Sequence, residues 1–112
     1  MANKKSIYIA SVVDVGATKF ACEYLRYFEL NQITEIKLTP ASFNKVIVSF
    51  YFETSPDLFM QIDILNGFCV GYHGEGPQGL YDIMIDAGFS EHTASRVFEI
   101  SRYAETVLTK EF

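Results

Sequence analysis

The spacing of hydrophobic positions along this chain changes repeatedly, and each change marks a predicted element. Lys5 to Val13 alternates and is rich in β-branched residues, which predicts a first strand, broken at Asp14-Val15-Gly16. From Ala17 to Leu30 the apolar residues Ala17, Ala21, Leu25 and Phe28 recur at helical spacing, with Phe20 and Tyr24 widening the face. Asn31 ends that helix. Ile33 to Thr39 reads as a strand stopped by Pro40, and Lys45 to Thr54 is the strongest strand signal in the chain. Leu58 to Leu65 and Phe68 to His73 flank Asn66-Gly67, a favoured two-residue hairpin connection because both residues tolerate positive φ.

Two helices are expected to follow. Pro77 suits a first helical turn, and Leu80, Ile83, Met84 and Ala87 fall at helical spacing. Gly88 is a left-handed helix stop, and Ser90 caps a long helix running to about Leu108 through Ala94, Val97, Phe98 and Ala104. The predicted order is β-α-β-β-β-β-α-α in one domain spanning residues 1–112. Its class is α+β: a mostly antiparallel sheet of four to five strands with helices packed on one face.

The two faces of that sheet differ. Val46, Val48, Phe50 and Phe52, with Leu58, Met60, Ile62 and Ile64, form wholly apolar sets that should meet the helices. The opposite set mixes types: Ile47, Ser49, Tyr51, Glu53, Phe59, Gln61, Asp63, Leu65, Cys69 and His73. Such a face suits solvent, or a homodimer or partner interface.

Charge then narrows the reading. The formal net charge is −5, and residues 74–112 carry seven acids against three bases. A nucleic-acid surface needs the opposite sign to displace counterions, whereas an acidic face suits a basic protein partner. No apolar run approaches a membrane span of about 18 residues. Two lysines precede an apolar stretch at the start, but Asp14 interrupts it, so no signal peptide is expected and the setting is read as cytoplasmic. Cys22 and Cys69 lie on different elements without metal-like spacing, as expected of reduced thiols.

Candidate chemistry is sparse. Gly74, Gly76 and Gly79 match G-x-G-x-x-G, yet no βαβ unit can follow in the predicted order and Glu75 puts a negative charge in the turn. These glycines, with Pro77 and Gly88, are read as turn and helix-exit residues. His73-Gly74-Glu75 matches half of a zinc deaminase site, without the P-C-x-x-C half. Cys69 and His73, if on one strand, stand roughly 13 Å apart, beyond hydrogen-bond reach. No cofactor, metal site or catalytic residue is expected.

Leu80-Tyr81-Asp82-Ile83, Ala87-Gly88-Phe89-Ser90, then Thr93, Ser95, Arg96 and Val97 closely resemble the helix-turn-helix of lactose-repressor-type regulators. That resemblance covers residues 80–98. It implies that Glu91 and His92 open a recognition helix whose Thr93, Ser95 and Arg96 meet phosphates or bases.

The acid excess favours a different reading: a small non-enzymatic protein-binding module of the immunity or inhibitor kind, neutralising a basic partner. In it Asp86, Glu91 and Glu99 steer the partner, and Tyr51 and Tyr72 supply aromatic anchors. A DNA-binding regulator using residues 80–98 is the alternative.

Overall fold

The structure, a computed structural model, describes residues 7–110. Their elements run β1 (Ile7–Asp14), α1 (Thr18–Leu25), β2 (Ile33–Pro40), β3 (Val46–Ser55), β4 (Leu58–Leu65), α2 (Glu75–Asp86), α3 (Glu91–Ser95) and β5 (Thr106–Thr109). Single 3-10 turns occupy Leu30–Gln32 and Arg96–Phe98. The class is α+β, as the patterning predicts. Five strands form one sheet in the spatial order β1-β4-β3-β2-β5. Three pairings are antiparallel, but β1 lies parallel to β4, so the sheet is mixed. The parallel pair arises because α1 carries the chain from one end of the sheet back to the other.

One face of the sheet holds the core. Ile36, Leu38, Val48, Phe50, Phe52, Ile62, Ile64 and Leu108 share that face by register and are buried against Leu80, Ile83 and Met84 of α2 and Ala21 and Leu25 of α1. Phe50 meets Phe68 edge-on with ring centroids 5.8 Å apart. Of the apolar sets expected to meet the helices, Val46, Val48, Phe50, Phe52, Ile62 and Ile64 join the core, Met60 packs against it partly buried, and Leu58 lies outside it.

Two expected elements are replaced. The hairpin at Asn66-Gly67 does not form, and Phe68 to His73 is a loop leading into α2. Asn66 adopts φ +56° as a turn residue would, but Gly67 has no positive φ. A Cβ on Gly67 would stand 2.7 Å from Ala21 Cβ and from Ile64 Cγ2, and 2.9 Å from Val15 Cγ2. The chain is therefore pressed against the core at Gly67 and cannot turn back as a strand. Phe68 and Val70 alternate because both bury their side chains from a loop, so Cys69 and His73 do not belong to the open sheet face.

The long helix from Ser90 to Leu108 is also shorter than its pattern suggests. It ends in a 3-10 turn at Phe98, and Thr106–Thr109 becomes a strand. Pairing with β2 places Leu108 opposite Ile36 and covers an edge that would otherwise be open. Tertiary pairing of β-branched Thr106 and Val107 outweighs the helical spacing. The first helix likewise stops at Leu25 instead of Leu30.

The corner between α2 and α3 follows local chemistry. Gly88 has φ +94°, and the Phe89 and Gly88 N–H groups donate to the Met84 and Ile85 carbonyls at 2.9 and 3.0 Å. This is a Schellman stop. The Ser90 hydroxyl then accepts from the Thr93 N–H at 3.1 Å and caps α3. Gly74 is the N-cap of α2, and Pro77 sits within its first turn, where the missing N–H leaves no bond unmade. Among the described residues no helix is long and apolar enough to cross a membrane.

Candidate functional surface

The ends of β2 and β4 and the starts of β3 and β5 bring three loops to one end of the sheet: 41–45, 66–74 and 99–105. Each presents an exposed aromatic ring. Phe43 is 91% exposed, Tyr103 70% and Tyr72 40%. The Arg102 guanidinium stands 5.3 Å from the Tyr72 ring centroid and 6.0 Å from that of Tyr103, within cation–π range. His73 stacks on Phe98 at 4.6 Å with the planes 5° apart, and Tyr81 lies against the same ring at 5.6 Å. Burial and then the Cys69 thiol raise the Tyr72 phenol, against the pull of Arg102.

Backbone geometry constrains the loops that carry Tyr72 and Phe43. Gly71, at φ +87°, donates to the Val97 carbonyl at 2.9 Å and ties the loop to the 3-10 turn. The Tyr72 ring lies over Gly74, where a Cβ would stand 2.5 Å from Tyr72 Cε2. Phe43 is the more telling case. Phe43 and Asn44 have φ 61° and 60°, and the Lys45 N–H approaches the Ser42 carbonyl at 3.4 Å, a type I′ turn. That turn favours Asn and Gly, and a bulky residue there is strained. Phe43→Asn should therefore raise unfolding stability by about 1 kcal/mol, measured by urea denaturation. An unchanged or lowered midpoint would show that the turn carries no strain.

A cleft of about 340 Å³ adjoins Tyr72, between the N-termini of α1 and α2, and is lined by Thr18, Asn66, Cys69 and Glu75 among others. It offers a thiol, a carboxylate and hydroxyls. Around it the glycine motif serves packing: a Cβ on Gly79 would stand 2.2 Å from Thr18 Cγ2, so that glycine permits the close approach of α1 and α2. Thr18 is held in turn by its hydroxyl, which donates to the Gly67 carbonyl at 2.5 Å. A Cβ on Gly76 would stand 3.0 Å from the Cys69 backbone nitrogen, a tight but less severe approach. Both cysteines are free thiols, and burial raises that of Cys22. Among the described residues no group of three metal-ligating side chains comes together.

The residues singled out from sequence do not form one patch. Tyr72 belongs to the loop end, and Glu99 follows Phe98 beside it. Tyr51 is half-buried in mid-sheet on the open face, opposite Gln61. Asp86 lies at the far end of α2, where the Arg26 guanidinium holds it at 2.5 Å. Glu91, His92, Ser95, Arg96 and Glu99 are exposed, whereas Thr93 is buried and turned inward. The helix that would enter a groove is only five residues long. The open face, expected as a site for a second copy, carries a polar row in which Tyr8 donates to Gln61 and Gln61 donates to Asp63 at 2.8 Å.

Sequence reasoning missed Phe43, Arg102 and Tyr103. A bulky ring flanked by Ser42 and Asn44 between two strands was the available signal for the first. Arg102 and Tyr103 were hidden inside the apparent helical period. Comparison with protein-family models, curated proteins and solved structures finds no match to this chain.

Proposed function

We propose that this chain is a non-catalytic protein-binding module of the inhibitor or immunity kind, working in the cytoplasm, whose loop end engages a basic protein. The observation that carries the reading is the convergence of Phe43, Tyr72 and Tyr103, with Arg102 between two of the rings, on three separate loops. Tyr and Arg are the residue types that dominate binding energy at interfaces, and rings held by a rigid scaffold lose little entropy on docking. Glu75 and Glu99 flank the rings, and Glu91 extends the negative field along the helical side. These acids would accelerate the encounter more than they would strengthen the complex.

Affinity purification from the native host tests this, with the eluate divided between nuclease and buffer. The expected result is a stoichiometric basic protein, retained after nuclease and lost by at least tenfold in Tyr72→Ala with Tyr103→Ala. Glu91→Lys with Glu99→Lys should slow its association and flatten the salt dependence. Material released by nuclease would overturn the reading in favour of the DNA alternative, which rests on the Gly88–Ser90 corner and predicts a gel shift lost in Arg96→Ala. An aromatic double variant that binds as the wild type does would remove the loop end as the docking site.

A further inference from the structure

β1 is an edge strand of eight residues, and among the described residues nothing pairs on its outer side. Ile7 donates to the Asp57 carbonyl at 2.6 Å and Val15 to the Leu65 carbonyl at 3.1 Å, so the odd-numbered residues bond inward to β4. The N–H and C=O groups of Tyr8, Ala10, Val12 and Asp14 consequently point outward from the sheet. Natural edges are usually guarded by proline, lysine, a bulge or a very short strand. β1 has none of these: its register against β4 is unbroken from Ile7 to Asp14, and Asp14 is its sole charge. Ile7, Tyr8, Ile9 and Val12 are 60%, 56%, 47% and 66% exposed. The other edge, β5, is four residues long and is preceded by Glu105, which pairs with Lys37 at 3.3 Å.

We propose that β1 pairs antiparallel with β1 of a second copy about a two-fold axis at Ala10, continuing the sheet through both molecules. The sequence of the strand is self-complementary in this register. Ala10 faces itself on the axis with no bulk to separate the strands, and Tyr8 lies opposite Val12 on the open face. Ile7 lies opposite Val13 and Ile9 opposite Ser11 on the helix face. Since Tyr8, Ala10 and Val12 all point outward, the pairs Ala10–Ala10 and the two Tyr8–Val12 make about six backbone hydrogen bonds. The two Asp14 carboxylates end up roughly 27 Å apart, at opposite ends of the ladder, beyond the reach of effective repulsion at physiological salt. A two-fold axis normal to the sheet makes the contact isologous and keeps both helical layers on one side.

Sedimentation equilibrium from micromolar to millimolar protein tests the pairing. The wild type should shift from a 12.7 kDa monomer to twice that mass. Tyr8→Glu with Val12→Glu places like charges opposite each other on exposed positions and should remain monomeric with an unchanged circular dichroism spectrum. Tyr8→Lys with Val12→Lys should do the same. An equimolar mixture of the two double variants should form a heterodimer, because each introduced lysine then faces an introduced glutamate. In the wild type, the amides of Tyr8, Ala10 and Val12 should gain hydrogen-exchange protection as concentration rises. A wild type that stays monomeric throughout overturns the proposal. So does a glutamate variant that dimerises like the wild type, a mixture that stays monomeric, or a dimer that leaves those three amides unprotected.

Discussion

Phe50→Ala should lower the unfolding free energy by about 3–5 kcal/mol, the range for removing a buried aromatic ring. Phe50 is fully buried at the centre of β3, opposite Ile36 on one side and Ile62 on the other. Its ring also meets Phe68 edge-on at 5.8 Å, so truncation removes an aromatic pair as well as buried area. Ile36 and Ile62 lie on strands paired on both sides, and Phe68 is itself buried against the core, so the cavity should persist. Against a total stability of roughly 5–15 kcal/mol for a domain of this kind, the loss would leave a marginal protein. Urea titration of both proteins provides the measure, and a difference under about 1 kcal/mol would mean that the site collapses freely.

Gly67→Ala should cost about 1–3 kcal/mol by overpacking, although alanine carries a more restricted unfolded chain and would stabilise an open site. The added methyl would meet Ala21, Ile64 and Val15 at 2.7–2.9 Å, on α1, β4 and the β1–α1 connection. None is the far end of a flexible side chain. The preceding residue supplies the contrast. Asn66→Gly keeps that position's φ of +56° without strain and removes only exposed hydrogen bonds, one accepted from Lys45 Nζ at 2.8 Å and one donated to Asp14 at 3.0 Å, so it should cost about 1 kcal/mol at most. Thermal melts of the two variants provide the comparison: a Gly67→Ala loss no larger than that of Asn66→Gly would mean that the added methyl is accommodated. A clearly larger loss at Gly67 assigns its glycine to packing.

That pair also shows how far the sequence could be read. Asn-Gly signals positive φ, and the signal was sound at Asn66. What a sequence does not display is whether the following glycine is bare because of its dihedral angles or because another element lies against it. The strands from Ile33 to Leu65 were legible since alternation, a proline and a Pro-Asp turn agree there. The helix stop at Gly88 and the cap at Ser90 were legible for the same reason: each depends on neighbours within a few residues. Thr106–Thr109 was not. Its fate is decided by the unfilled side of β2, some 70 residues earlier in the chain, and a local period carries no trace of that demand. The candidate surface divides in the same way. Tyr72 could be named from residue type, but its assembly with Phe43, Arg102 and Tyr103 depends on where three loops end.

The order of the strands in space has a consequence for how this chain acquires its fold. β2, β3 and β4 are joined by short turns and can zip together as they emerge, since closing small loops is entropically cheap. β1 has no such neighbour. Its partner Leu58 lies 51 residues beyond Ile7, and β5 closes onto β2 only once Thr106–Thr109 have been made. Both outer strands thus belong to the late, long-range part of assembly, the slow component of sheet formation. During synthesis the most apolar stretch of the N-terminal region must wait unpaired until β4 has been made, so the kinetics of β1 docking set the interval in which the nascent protein is most open to mispairing.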